Sequence, residues 1–190
     1  MLEYLEAWKL RPEITKGFTV LLKIRITDFR GAYRLHREGH RLPSWATSCP
    51  FCNSQMPEYA EHMIMICSKW CPQREEVFGK PFLIEPKEMA LTSMVMGQHI
   101  DLMLQRTIPS LAETPARNIL QLRIKMIEAK NEIDPAKDIR PWIIKVALFL
   151  DKIHFKRRKI IDQMTNPNPP TTTTKTKQTQ LRITDMWSRG

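Results

Sequence analysis

The chain has 190 residues, 42% of them apolar, and carries 30 Lys and Arg against 20 Asp and Glu, a formal charge of +10. This length and apolar content allow one ordinary domain, or a small domain with appendages, and the cationic excess points to a polyanionic partner, above all nucleic acid. No stretch reaches the roughly 18–20 apolar residues of a membrane span, and the opening "MLEYLEAWKLRPE" lacks the apolar run of a signal peptide; an intracellular chain is expected, in which clustered cysteines favour metal over disulfides.

The first 42 residues read as helical. Ile14, Phe18, Leu21 and Leu22 recur at helical spacing, and Phe29, Ala32 and Leu35 do so again, with Gly39 as the stop. The polar face of the second run carries Arg30, Arg34, His36 and Arg37, joined by Lys23 or Arg25 from the run before. His36 and His40 sit in this basic stretch and read as solvated or phosphate-facing rather than as ligands.

All four cysteines then fall within "CPFCNSQMPEYAEHMIMICSKWC", residues 49–71. Cys49 and Cys52 have the two-residue spacing of a knuckle that aims both thiolates at one tetrahedral ion. "PEYAEHMIMIC" reads as a short helix bearing His62, with Cys67 at its frayed end. The expected set is Cys49, Cys52, His62 and Cys67, a closed site of three thiolates and one imidazole. Zn2+ suits that donor set, and four protein ligands make it structural. Cys71 competes with His62, because C-x2-C-x14-C-x3-C is also a zinc pattern. Ordinary reduced cysteines in a helical core are the bland alternative.

Residues 84–164 read as further helices separated by prolines: one from about 87 to 105, one from Thr114-Pro115 to about 131, and one from about 138 to 164. The last is apolar nearly all round in its first half and basic in its second, where Lys152, Lys156, Arg157, Arg158 and Lys159 fall within one short run. Such a run contacts phosphates without regard to sequence, serves as a nuclear import signal, or simply complements the helix dipole. Phe155, Tyr33 and Trp45 have rings able to stack on bases but are read as core. No strand alternation and no repeat is evident, so the expected fold is mainly α: a small zinc-stabilised helical domain (1–80), a helical bundle with a basic end (81–164), a disordered Pro/Thr-rich linker (165–178) and a terminal motif (179–190). The linker lacks large apolar residues and cannot collapse.

Two resemblances sharpen these expectations. "FRGAYRLHREG", the Cys49/Cys52 pair, Glu58 four residues before His62, "CSKW", and Arg74 in "QREEVFG" together resemble the reverse-transcriptase zinc-binding region. That region closes the polyproteins of non-LTR, LINE-like retrotransposons, and the likeness covers about residues 14–80. It implies that Cys49, Cys52, His62 and Cys67 are the metal ligands and that the region helps hold template RNA or target DNA. The chain departs from the parent polyprotein in having no Tyr-x-Asp-Asp motif, no acidic constellation for a two-metal nuclease and no room for a palm and fingers. A non-catalytic fragment is therefore expected.

The terminal "QLRITDMW" resembles the PCNA-interacting peptide box. Gln180 would enter a small polar pocket, Ile183 and Trp187 a hydrophobic one, and Met186 stands where that family prefers Phe or Tyr. The resemblance implies the PCNA sliding clamp as a partner. The expected function is thus a zinc-stabilised module that binds RNA or DNA through Arg30, Arg34, Arg37, Lys156, Arg157, Arg158 and Lys159, tethered to the clamp by Gln180, Ile183, Met186 and Trp187. Neither a membrane nor a small-molecule substrate is expected. The location is nuclear, or cytoplasmic within a retrotransposon particle. The alternative is an adaptor or regulator that binds PCNA and no nucleic acid.

Overall fold

A computed structural model describes residues 2–39, 42–107 and 116–165. It is mainly α-helical, with no strand among the described residues. The helices are α1 (Leu2–Leu10), α2 (Thr15–Arg25), α3 (Ala32–Arg37), α4 (Cys71–Phe78), α5 (Pro86–Met96), α6 (Ile100–Thr107), α7 (Ala116–Glu132) and α8 (Arg140–Thr165). No helix among them is long and apolar enough to cross a membrane. Apart from Thr165, the expected linker and the terminal motif lie outside the described residues, as do His40, Thr114 and Pro115.

The expected helix from 87 to 105 is divided into α5 and α6. Gly97 adopts a φ of +68° and ends α5, a left-handed stop that glycine takes without a Cβ penalty. α8 begins after a π turn at Pro135–Ile139. With 26 residues it is about 39 Å long and is the strut on which the rest is hung. Ile143, Val146, Ala147, Phe149, Leu150 and Ile153 of its apolar half are buried, as that composition requires.

α2 lies along this strut through Gly17, Phe18, Leu21 and Ile24, all buried. The approach is close at Gly17, where a Cβ would stand 1.9 Å from the carbonyl oxygen of Ala147. The Gly17 amide also donates to Asp151 Oδ1 at 3.2 Å. On another side of α8, Phe78 at the end of α4 packs between Trp142 and Phe149, with ring centroids 5.2 and 6.0 Å away. α5 is buried nearly all round and sits between α2, α7 and α8. One main hydrophobic core joins residues from Ala7 to Ile161; the boundary expected near residue 80 falls between α4 and α5, and the core continues across it.

Of the three rings read as core, Trp45 is buried and Tyr33 is half-buried. Phe155 is a correction: it is 58% exposed, with Lys16 Nζ 4.0 Å from its ring centroid. It lies beyond the apolar half of α8, where α2 no longer covers the helix on that side.

Gly17→Ala tests the helix contact by its sign. In an exposed helix this change stabilises by roughly 1 kcal/mol, but here the methyl meets backbone. A loss of about 1–3 kcal/mol is expected from overpacking, measured as a lowered urea midpoint with an unchanged slope.

Candidate metal centre

The knuckle forms because the chain reverses at Asn53. Its φ of 57° is left-handed, a region that asparagine tolerates better than most residues. The Asn53 amide donates to the Cys49 carbonyl at 2.9 Å, and the Cys49 amide donates to the Ser54 carbonyl at 3.0 Å. The backbone amides of Phe51 and Cys52 point at the Cys49 sulfur and favour its thiolate. Ser54 Oγ lies 3.1 Å from Cys52 Sγ. Phe51 packs against Trp70, centroids 5.5 Å apart, and Cys49 and Cys67 are buried while Cys52 is partly exposed.

His62 and Cys67 come from a different device. Residues His62–Ile66 form a π turn in place of the expected α-helix, closed by the Cys67 amide donating to the His62 carbonyl at 2.8 Å. In an α-helix, positions five apart stand about 140° from each other around the axis. Widening the turn to i→i+5 brings them round to one side, which is what a His-x4-Cys ligand pair needs. π turns of this kind gather at functional sites.

The ligand atoms of Cys49, Cys52, His62 and Cys67 all lie within 4.8 Å of one another, the only such group among the described residues. Cys49 Sγ and Cys67 Sγ are 4.0 Å apart, and Cys52 Sγ is 3.3 Å from His62 Nε2. A tetrahedral zinc with its usual bond lengths would set these separations at about 3.8 and 3.5 Å. The four residues therefore fit a metal ion, and the donor set is compatible with zinc. The thiols' own chemistry also asks for a cation. Hydrogen bonding with Cys49 draws Cys52 far below the usual thiol range, and the same bond pushes Cys49 up to about 12. Cys67 is raised too, first by its contact with Cys49 and then by that with Cys52. Three sulfurs this close cannot all ionise unless positive charge lies among them.

Cys71 is not part of the group. It heads α4, and its sulfur lies 3.5 Å from Arg74 Nη2. Of the two alternatives that the spacing left open, His62 is the one gathered with the three sulfurs.

Arg74, fully buried, is the centre's internal brace. It donates to the carbonyls of Met63 at 3.1 Å, Ile64 at 3.5 Å, Cys67 and Pro81. Carbonyls at the end of a helical turn lack intrahelical donors, and a planar guanidinium supplies several at once. Burial lowers the pKa of Arg74, and the neighbouring Cys71, Cys67 and Cys52 sulfurs pull it back. His62 Nδ1 and Trp70 Nε1 are buried without a hydrogen-bond partner among the described residues, although metal-bound histidines usually anchor that second nitrogen.

A second buried charge fastens the centre to α8. Glu58, 1% exposed, receives Arg157 through Nε–Oε1 at 2.7 Å and Nη2–Oε2 at 2.8 Å. The same carboxylate accepts the Ala32 amide at 2.7 Å, and Arg157 Nη2 donates to the Arg30 carbonyl at 3.0 Å. The guanidinium also packs between the rings of Phe29 and Phe51, 5.0 and 5.6 Å from their centroids.

The seven basic residues singled out from the sequence are placed differently from one another. Arg157 faces inward, as just described. Arg34 pairs with Glu38 at 2.8 Å and lies 3.4 Å from Asp28. Arg30 is largely exposed, 3.9 Å from Glu38, and exposed Arg158 is 3.9 Å from Asp162. Arg37, Lys156 and Lys159 are exposed with no carboxylate partner among the described residues. The bond from Arg157 to Arg30 makes the α3 and α8 clusters neighbours, although 127 positions separate them. A small cleft of about 160 Å³ between them is lined by Lys23, Arg30, His154 and Arg157, with Asp28 among them. Burial lowers the pKa of His154, and Arg157, Arg158 and Lys16 lower it further, while Asp151 works in the opposite direction. The contact between Glu61, fully buried, and Arg106 at 2.9 Å was not foreseen; acids inside "EYAEHMIMI" signal a buried partner without naming it. Gln180, Ile183, Met186 and Trp187 lie outside the described residues.

No family model, no curated protein and no solved structure matches the chain.

Two substitutions separate the ligands from their supports. His62→Ala should lower the metal content of protein purified without chelator to well below one equivalent, while Cys71→Ala should leave it unchanged, both read by elemental analysis. Glu58→Gln should cost about 3–5 kcal/mol, because it strands Arg157 in the interior, and chemical denaturation reads the loss.

Proposed function

We propose that the chain is a non-catalytic nucleic-acid-binding module whose structural ion is zinc, held by Cys49, Cys52, His62 and Cys67. The reading is carried by the junction of the α3 and α8 basic clusters beside the Cys₃His group. A single patch of cations over a rigid base suits the phosphate backbone of RNA or DNA. Arg37 at the end of α3 and Lys156 and Lys159 on α8 are exposed without a carboxylate partner among the described residues, and Arg30 and Arg158 are exposed as well.

Zinc suits this donor set for electrostatic reasons as well. Three thiolates around a divalent ion leave one net negative charge, and the Arg74 guanidinium stands beside them to balance it. Four protein donors complete a tetrahedron and leave no coordination position for a substrate, so the ion's part is to fix the fold. The likeness to the reverse-transcriptase zinc-binding region of non-LTR retrotransposons supports template or target binding as the task. The terminal Gln180, Ile183, Met186 and Trp187 would tether the module to PCNA, which places its work in the nucleus.

One observation favours the adaptor alternative. Leu120, Ile124 and Ile127 of α7 are 56%, 46% and 42% exposed and share one helical face, a pattern that protein partners use.

Salt dependence decides between the two. With about three phosphate contacts, affinity for RNA or DNA should fall on the order of 30-fold between roughly 50 and 200 mM salt, and chelator should weaken it further. Absence of binding at the lower salt would refute the module and leave the adaptor. Separately, a peptide of residues 175–190 should bind PCNA and lose that binding on Trp187→Ala. No calorimetric signal at high micromolar peptide would end the tether.

A further inference from the structure

A groove of about 650 Å³ opens between α3, the segment leading to His62 and the turn from α5 to α6. We infer that this groove seats an unpaired nucleotide, with Tyr33 stacking on the base, Arg37 meeting its phosphate and Gln98 reading the base edge. The inference rests on the nucleic-acid reading above and adds the form of nucleic acid that is bound.

Charge is the first argument. Four arginines line the groove against two glutamates, and both acids are already committed, Glu58 to Arg157 and Glu38 to Arg34. Among the arginines, Arg25 is held by Tyr4 Oη at 2.7 Å and by carbonyls at the end of α5, Arg34 by Glu38, and Arg106 by Glu61. Arg37 is left as the exposed cation at the rim.

The rings sort in the same way. Arg157 covers Phe29, and Arg106 lies 4.7 Å from the centroid of Tyr59. Tyr33, half-buried and tilted against Tyr59 with centroids 4.9 Å apart, is the aromatic surface that remains. Base stacking on such a ring tolerates any sequence. Gln98 supplies the third group, because its side-chain oxygen is buried and accepts no hydrogen bond from the described residues. An exocyclic amine of a base would satisfy it once the half-buried side chain turns toward the groove. A duplex keeps its base faces stacked inside and cannot offer one to Tyr33, whereas a groove of this size admits one or two flat rings.

Fluorescence anisotropy with one labelled 20-nucleotide strand, alone and annealed to its complement, tests the inference on the full-length protein. The wild type should bind the single strand more tightly. Tyr33→Leu should weaken single-strand binding about tenfold and leave duplex binding within twofold, with melting temperature and metal content unchanged. Gln98→Leu should show the same selectivity to a smaller degree. Paired Lys156→Gln and Lys159→Gln changes should weaken both forms together. Equal affinity for the two forms, with neither Tyr33→Leu nor Gln98→Leu altering the ratio, would overturn the groove assignment while the functional reading stands. No binding of either form would remove both.

Discussion

The carboxylate of Glu58 sits at the crossing of three stretches of chain that are remote in sequence. It accepts the first amide of α3, takes both arms of Arg157 from α8, and lies four residues before His62. Buried charges are tolerated only when paired and hydrogen-bonded, and here each oxygen is satisfied. Few other arrangements of these segments would leave both ions satisfied, so the pair sets where the ligand-bearing segment stands relative to α8. Removing either partner would leave the other charge stranded in the interior.

From that anchor the centre is built outward by two local departures from regular structure. A left-handed Asn53 turns the knuckle, and a π turn carries His62 and Cys67 to the same side. Neither departure is favourable by itself. Arg74 meets the carbonyls that the widened turn exposes, while Phe51 packs on Trp70 beside the knuckle. Metal ligation would then add to what the burial of Phe51, Met63, Ile64, Met65 and Trp70 already contributes.

Much of this was legible in the sequence, and the reasons are physical. The pairing of Cys49 with Cys52 followed from their spacing, because a two-residue gap admits few backbone paths around one ion. The mainly helical fold followed from apolar periodicity, and the burial of early α8 from its lack of a polar face. What could not be read depended on partners in space. Arg157 and Lys156 are adjacent cations in one run, yet one closes a buried ion pair and the other faces solvent; only the approach of Glu58 distinguishes them. The choice between His62 and Cys71 likewise turned on helical phase, since an ordinary α-helix would have carried Cys67 away from His62. Phe155 was misjudged because apolar character says nothing about where a neighbouring helix stops.

The π turn has a further consequence for how this chain can change over time. Point substitutions at Met63, Ile64, Met65 or Ile66 alter packing volume and leave the backbone path intact. Gain of one codon within this stretch is a different event. It would reset the angular phase of everything downstream, swinging Cys67 off the ion and Arg74 off its carbonyls together. The interval therefore tolerates lengthening less well than a change of the side chains that fill it.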